Sequence, residues 1–232
     1  MRVAIISDLH GNKDAFSAVL DDAVKNEVEH LLILGDIVGY YYYPKFILQE
    51  IKKWKHDIIK GNHEIILEQL YNREINFETI NKKYGSAHEI ALTQFSKEEL
   101  IYLFSLPSSK QVEIDGIKFS LNHGAPWSIN AYLYPTSSVD LFNKCDDENA
   151  DFVLVGHSHY AFSVKTKNSI VINPGSIGQS RQKGGVASWV LFDTSNWMYQ
   201  FKNTNYDIES LALEIEKRDP GIEYLLSILK RK

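Results

Sequence analysis

A single cysteine, Cys145, stands among the 232 residues. It cannot close an internal disulfide, so no cross-linked framework is expected and a reducing compartment suits the chain. It is also a poor nucleophile on paper, because Asp146 and Asp147 follow it and their charge disfavours a thiolate. Positive charge is short too: 25 Lys and Arg face 30 Asp and Glu, a formal net charge of −5. A protein that grips long phosphate backbones wants a basic face, so stable nucleic-acid binding is not expected. A small anion drawn in by a local cation is still allowed. No apolar run approaches the ~18 residues of a membrane span. The amino-terminal apolar run, broken by Asp8, is far too short for a secretion signal. A cytoplasmic protein without a membrane partner is the expectation. Repeats, linkers and low-complexity tracts are also missing, so residues 1–232 are read as one domain.

What is present is a hydrophobic fraction of 44%, which takes disorder off the table, and a recurring local pattern. Val3-Ala4-Ile5-Ile6 runs into Ser7-Asp8-Leu9-His10-Gly11; Leu31-Leu32-Ile33-Leu34 runs into Gly35-Asp36; Ile58-Ile59 runs into Gly61-Asn62-His63-Glu64. Each is a short buried strand ending in a polar corner. Helical stripes lie between them: Ala15, Phe16, Val19, Leu20 and Ala23, then Phe46, Ile47, Ile51 and Trp54 after Pro44. Strand, corner and helix repeated three times predict a βαβαβ unit with its ligand edge at the carboxyl ends of the strands.

Residues 68–106 read as mostly helical packing, with Ser96 and Glu99 placed as a capping box for the last helix. The period then changes. Gln111 to Ile114 and Ile117 to Leu121, joined by Asp115-Gly116, predict a hairpin that ends at Asn122-His123-Gly124. An aromatic loop from Ala125 to Pro135 and a helix from about Ser138 follow. Phe152 to Val155 lead into Gly156-His157-Ser158-His159; strands then run to Gln200, with turns at Lys167-Asn168 and Asn173-Pro174-Gly175. Two amphipathic helices close the chain from Tyr206, and Lys230-Arg231-Lys232 reads as a solvated tail.

Of the 8 histidines, His10, His63, His123, His157 and His159 fall at strand-to-loop corners. His30, His56 and His88 sit in ordinary contexts and receive no role. A lone corner histidine is usually a hydrogen-bonded loop residue. Five of them with Asp8, Asp36 and Asn62 need another reason, since buried carboxylates and imidazoles crowded together are costly without a cation. Oxygen and imidazole donors without thiolate suit Mn, Fe, Zn, Ni or Mg. Even seven of these eight as ligands exceed one tetrahedral zinc and fit two ions that share a carboxylate.

Asp8-x-His10, Gly35-Asp36, Gly61-Asn62-His63-Glu64, His123 and Gly156-His157-x-His159 resemble, in order, the motif set of the calcineurin-like metallophosphoesterases. Asn173-Pro174-Gly175-Ser176 with Gly178 and Arg181, and Gly35-Asp36-Ile37-Val38-Gly39-Tyr40, resemble the small single-domain bacterial and archaeal branch. The resemblance implies an α/β fold, a four-layer α-β-β-α sandwich of two mixed sheets flanked by helices. It implies two divalent ions, with manganese favoured: Asp8, His10 and His159 on one, Asn62, His123 and His157 on the other, and Asp36 bridging. It implies a hydrolase, phosphatase or phosphodiesterase, in which a bridging hydroxide attacks phosphorus while His63 protonates the leaving group.

Two departures narrow the substrate. The protein serine/threonine phosphatases of this superfamily carry Gly-Asp-x-x-Asp-Arg-Gly, and here Gly39, Tyr40 and Tyr41 replace the last three residues. A phosphoprotein substrate is therefore not expected. Purple acid phosphatases carry a ligating Tyr where Gly39 stands, so an iron–tyrosinate centre is not expected either. Arg181 and Asn62 are the candidate substrate-binding residues, and a small phosphate ester is the expected substrate, with a nucleotide or dinucleoside polyphosphate considered. Tyr40 to Tyr43 and Trp127, Tyr132 and Tyr134 either stack a base or pack their own loops. Beside the enzyme stand a scaffold that has lost catalysis and a single-strand nuclease. The intact ligand set with His63 disfavours the first, and the lack of a basic stripe disfavours the second.

Overall fold

Val3 to Ile6 are all apolar, without alternation, and a strand of that kind must be covered on both faces. In the computed structural model, which describes residues 1–232, β1 (Arg2–Ile6) lies at the centre of a five-stranded sheet and is completely buried from Val3 onward. Helix α1 (Lys13–Lys25) returns the chain so that β2 (His30–Ile33) pairs parallel to β1; α2 (Pro44–Ile51) does the same for β3 (Lys55–Ile58). The predicted βαβαβ unit is present.

Four helices follow: α3 (Asn62–Tyr71), α4 (Phe77–Tyr84), α5 (Ala87–Gln94) and α6 (Lys97–Ser105), the last opened by the Ser96–Glu99 capping box. The hairpin of β4 (Ser109–Ile114) and β5 (Ile117–Asn122) turns on Asp115 and Gly116, both with positive φ. Next come α7 (Val139–Asn143), β6 (Phe152–Leu154), β7 (Ala161–Lys165), β8 (Ile170–Pro174), β9 (Val186–Asp193) and β10 (Met198–Asn205). Helices α8 (Glu209–Arg218) and α9 (Glu223–Leu229) end the fold. Asn173 and Pro174, expected as a turn, are the last residues of β8, and the chain reverses at Gly175.

The first sheet has the order β10-β9-β1-β2-β3 and the second β4-β5-β6-β8-β7. Both are mixed: in the first, β1, β2 and β3 run parallel and β9 and β10 are added antiparallel, while in the second the centre β5-β6-β8 is parallel and both edge strands are antiparallel. They pack face to face: Val3, Ile5, Leu32 and Leu34 of one meet Phe119, Leu121, Phe152 and Ile172 of the other in a shared apolar layer. Helices α1, α2, α3, α5 and α6 cover the outside of the first sheet, and Phe142 of α7 packs outside the second. This is the α-β-β-α sandwich. No helix is long and apolar enough to cross a membrane. The carboxyl ends of β1, β2, β3, β5 and β6 all open on one edge, which is where the site lies.

Candidate metal centre

At that edge the strands stop abruptly. Asp8, His10, Asp36, His157 and His159 all adopt left-handed backbone, with φ of 55°, 49°, 56°, 63° and 62°. Side chains other than Gly adopt that conformation only at a cost, least for Asp, Asn and His. The left-handed corners thus help turn five polar side chains toward one another. The loops of the two sheets interlock around them. His157 N–H donates to Asp8 Oδ2 (3.1 Å), Ser176 Oγ–H to the Asp8 carbonyl (2.9 Å), and His63 N–H to Asp36 Oδ1 (2.9 Å). A Cβ at Gly39 would overlap the His63 ring, and one at Gly61 would overlap the Asp36 carboxylate.

Three histidines share one device. Nδ1 of His10, His123 and His159 lies 3.0, 2.7 and 2.7 Å from the carbonyls of Val38, Leu34 and Gln179. A carbonyl only accepts, so each Nδ1 carries the hydrogen and each Nε2 of a neutral ring is bare. Nε2 of His10 and Nε2 of His159 nevertheless face one another at 3.2 Å. Two lone pairs at that distance repel unless a cation stands between or beside them. Asp8 Oδ1 is 3.3 Å from His159 Nε2 and has no hydrogen-bond partner. Asp36 Oδ2 is likewise without one; it lies 3.2 Å from His123 Nε2 and 3.8 Å from His10 Nε2. Asn62 Oδ1 is 3.0 Å from His123 Nε2. Orphaned buried acceptors of this kind fit a divalent ion with oxygen and imidazole donors. Asp8, His10 and His159 form one group that could hold an ion; Asp36, His123 and His157 form another, with Asn62 beside it.

Burial alone would raise the pKa of both carboxylates. His159 beside Asp8 and His123 beside Asp36 outweigh it, and both stay below the usual carboxylate range. Burial lowers His10 and His157 to about 4, so neither rescues the array by taking a proton. His123 does the reverse: Asp36 overcomes the cost of burial and raises it to about 10. Without an ion a proton on His123 balances the charge, and an ion would displace it.

His63 lies with its predicted companions but differs from them. A ring nitrogen of His63 is within 4.8 Å of ligand atoms on His10 and Asp36, yet Nδ1 finds no carbonyl. It is 3.1 Å from Nε2 of His88, in α5, and the two rings are nearly parallel at 12°. Tyr84 and Tyr40 enclose the same ring, at centroid distances of 4.7 and 5.0 Å. Burial holds His63 well below its ordinary pKa, with Asp36 opposing. His88, given no role from sequence, is therefore corrected to a direct partner of His63. Nothing in its local sequence could have shown this, because the α4–α5 turn brings it there.

Glu64 is a second residue that the sequence reading passed over. Its buried carboxylate accepts from the N–H groups of Gly61 (2.7 Å), Ile37 (2.8 Å), Asp36 (2.9 Å) and Val38 (3.2 Å). One side chain thus shapes the corner that carries Asp36 and ties it to the start of α3. Its place three residues after Gly61, as the reciprocal half of a helix cap, was the available signal. Burial and the Asp36 charge push Glu64 up to about 7, and the N–H donors pull against them.

Around the mouth, Tyr40, Lys83, Tyr84, Tyr132, Arg181 and Tyr224 line a cavity of about 260 Å³. Arg181 points into it, half-buried, with Nε unpartnered. Tyr132 lies over His157 at 4.0 Å. Of the two aromatic loops considered from sequence, only Tyr40 and Tyr132 reach this cavity. Tyr41 and Tyr42 are fully buried beneath the C-terminal helices, and Trp127 is outside, with Lys144 over its ring. Two wider depressions, of about 450 and 550 Å³, lie by β4–β5 and by β9–β10 and hold none of the site residues. Cys145 is buried, and burial alone pushes its thiol up to about 12; the neighbouring aspartates are not the cause.

Two face-to-face mixed sheets with carboxylates and imidazoles gathered at one strand edge define a phosphoesterase fold that can hold metal. The chain belongs to the calcineurin-like phosphoesterase superfamily, whose domain model matches residues 1–196. It is 30% identical to the uncharacterized protein MJ0912 of Methanocaldococcus jannaschii, with 93% of this chain and 92% of that one covered. It is similar to the crystal structure of a metallophosphoesterase from Sphaerobacter thermophilus, with a TM-score of 0.77 and 26% identity over 99% and 98% of the two chains. It shares its fold with the hypothetical protein PH1004 from Pyrococcus horikoshii OT3, with a TM-score of 0.83 and 21% identity over 99% and 98%.

Proposed function

We propose that this chain hydrolyses a small phosphate ester with the help of two divalent ions. The observation that carries the proposal is the facing pair of bare imidazole nitrogens on His10 and His159, 3.2 Å apart beside the orphaned oxygens of Asp8 and Asp36. Asp8, His10 and His159 would hold one ion, Asn62, His123 and His157 the other, and Asp36 would serve both. The donor set contains no thiolate, which suits Mn, Fe, Zn, Ni or Mg, and manganese is the first ion to test. Bound there, such ions would polarise the phosphoryl oxygens and supply an activated water for in-line displacement.

The chain's own groups do the rest. Arg181, cationic as a guanidinium is at any working pH, meets the phosphoryl oxygens from the mouth side. Asn62 offers its amide N–H₂ to the same group while its carbonyl oxygen faces His123. His63, whose pKa burial lowers, takes up a proton as the anionic ester binds beside it and delivers it from Nε2 to the departing alkoxide, a contribution of ~10²–10⁴-fold for a well-placed acid. The new P–O bond to water forms as the ester P–O bond breaks, and the products are an alcohol and a phosphate.

The test is His63→Ala assayed on a nitrophenyl ester and on an alkyl phosphate ester. The alkyl ester should lose ~10²–10⁴-fold and the nitrophenyl ester far less, since nitrophenolate leaves without protonation. Equal losses on both would remove His63 from the role of proton donor.

A further inference from the structure

The family's domain model ends at residue 196, but one wall of the mouth is built from beyond it. We infer that the C-terminal helical pair α8–α9 completes a substrate pocket, with Tyr224 and Arg181 as its working residues, for a phosphate monoester that bears a single flat ring. The inference rests on the phosphoesterase reading above and adds the substrate class.

Four anchors join this pair to the site. Asp219, at the end of α8, accepts from Tyr42 Oη–H (2.8 Å) and from Ser86 N–H and Oγ–H (both 2.9 Å), fixing the turn just after Tyr84. Tyr41 Oη–H reaches the Leu225 carbonyl at 3.5 Å. Tyr224 Oη–H donates to Gln179 Oε1 at 3.4 Å, at the start of the loop that carries Arg181. At the other end of that loop, Arg231 Nη1–H donates to the Arg181 carbonyl (2.6 Å) and Gly184 N–H donates to the Arg231 carbonyl (2.8 Å). Arg231, expected to be a solvated tail, is therefore a clasp that holds the Arg181 loop in place. The 179–184 loop has no regular secondary structure of its own, so its aim depends on these contacts.

The lining gives the chemistry of the ligand. Arg181 and Lys83 are its only charged members, and no carboxylate lines the cavity, so an anion is favoured. The Arg181 Nε–H is buried without an acceptor, which a phosphoryl oxygen would supply. Beyond the phosphate lie tyrosine rings: Tyr132 and Tyr224 are 45% and 38% exposed, while Tyr40 and Tyr84 are buried. Ring faces favour a flat aromatic partner over a saturated chain. A cavity of about 260 Å³ falls below the usual ~300–1,000 Å³ of ligand pockets, leaving room for one ring and its phosphate but not for the second substituent of a bulky diester.

The test uses the full manganese-loaded chain and two inert ligands, phenylphosphonate and methylphosphonate, measured by calorimetry, with metal content determined for every variant. Tyr224→Ala should weaken phenylphosphonate about 5-fold more than it weakens methylphosphonate, while Tyr224→Phe, which loses only the bond to Gln179, keeps the preference for the ring. Arg231→Ala should weaken both ligands by about 5–10-fold without changing their ratio, by loosening Arg181. The wild type should also hydrolyse nitrophenyl phosphate at least about 10-fold more efficiently than bis(nitrophenyl) phosphate. The pocket assignment falls if Tyr224→Ala weakens both phosphonates alike, if Arg231→Ala changes neither, or if the diester is preferred. Phosphonate binding with this pattern but no turnover of any ester would overturn the phosphoesterase reading and leave the pocket standing.

Discussion

Nδ1 of His63 and Nε2 of His88 are joined by a 3.1 Å hydrogen bond in a fully buried setting, their rings almost parallel. Whichever ring supplies the shared hydrogen, Nδ1 of His63 is occupied and the ring cannot turn over, so only Nε2 is left to face the centre. His88 acts through His63 and is a positioning residue. His88→Ala should lower kcat on an alkyl phosphate ester by about 10–100-fold with KM little changed, and affect a nitrophenyl ester less. His88→Gln, which can still bond Nδ1, should recover most of the loss. Kinetics on the two esters with metal content as the control check this; equal losses and no recovery would mean that His88 only packs.

Asp36 Oδ2 is the one carboxylate oxygen within 4 Å of Nε2 on both His10 and His123. Asp36→Asn should therefore empty both ion positions rather than one, and cut hydrolysis by at least about 100-fold. Elemental analysis of the purified variant is the measurement. Two tightly held ions in Asp36→Asn would remove its bridging role.

Glu64 answers four backbone N–H groups around the Asp36 corner. Glu64→Gln turns one acceptor oxygen into an N–H₂ that faces donors, and an unsatisfied buried group costs ~1–3 kcal/mol. The variant should melt several degrees lower and bind manganese more weakly, both measurable by calorimetry. An unchanged melting point would show that the corner holds its shape without this carboxylate.

Far from the centre, Asp146 gives a pH signature. Its carboxylate accepts from Thr166 Oγ1–H, Asn168 N–H and Nδ2–H, and Ser169 N–H, and these bonds lower its pKa to about 2, the Thr166 bond most. A carboxylate depressed by folding adds stability above its unfolded pKa and loses that contribution as pH falls toward the folded value. The gap in melting temperature between wild type and Asp146→Asn should be widest near neutrality and close between pH about 4 and about 2. Thermal melts at several pH values test it, and a constant gap would count against the assignment.

The first sheet and its corners were legible because each strand is short, apolar and followed at once by Gly, Asp, Asn or His. That local signal needs no knowledge of distant chain. Of the second sheet only the β4–β5 hairpin was, since the rest of the order β4-β5-β6-β8-β7 depends on pairings that no period of two reveals. The same limit applies inside the site. His10 and His159 could be nominated from their corners, but the contact between them spans 149 positions. His88 gave no hint, because a histidine within a helical stretch looks the same whether it faces solvent or another imidazole. Arg231 looked like tail because three basic residues at a terminus usually are. Tyr41 and Tyr42, which by sequence either stack a base or pack their own loop, are covered by the C-terminal helices and do the second.

The left-handed backbone at Asp8, His10, Asp36, His157 and His159 has a consequence for how ions arrive. A receptor whose donors are already aimed needs no folding step on loading, so chelation should leave the outline of the emptied protein unchanged. A vessel of that kind would exchange one divalent cation for another without reshaping itself, within the range that oxygen and imidazole donors accept.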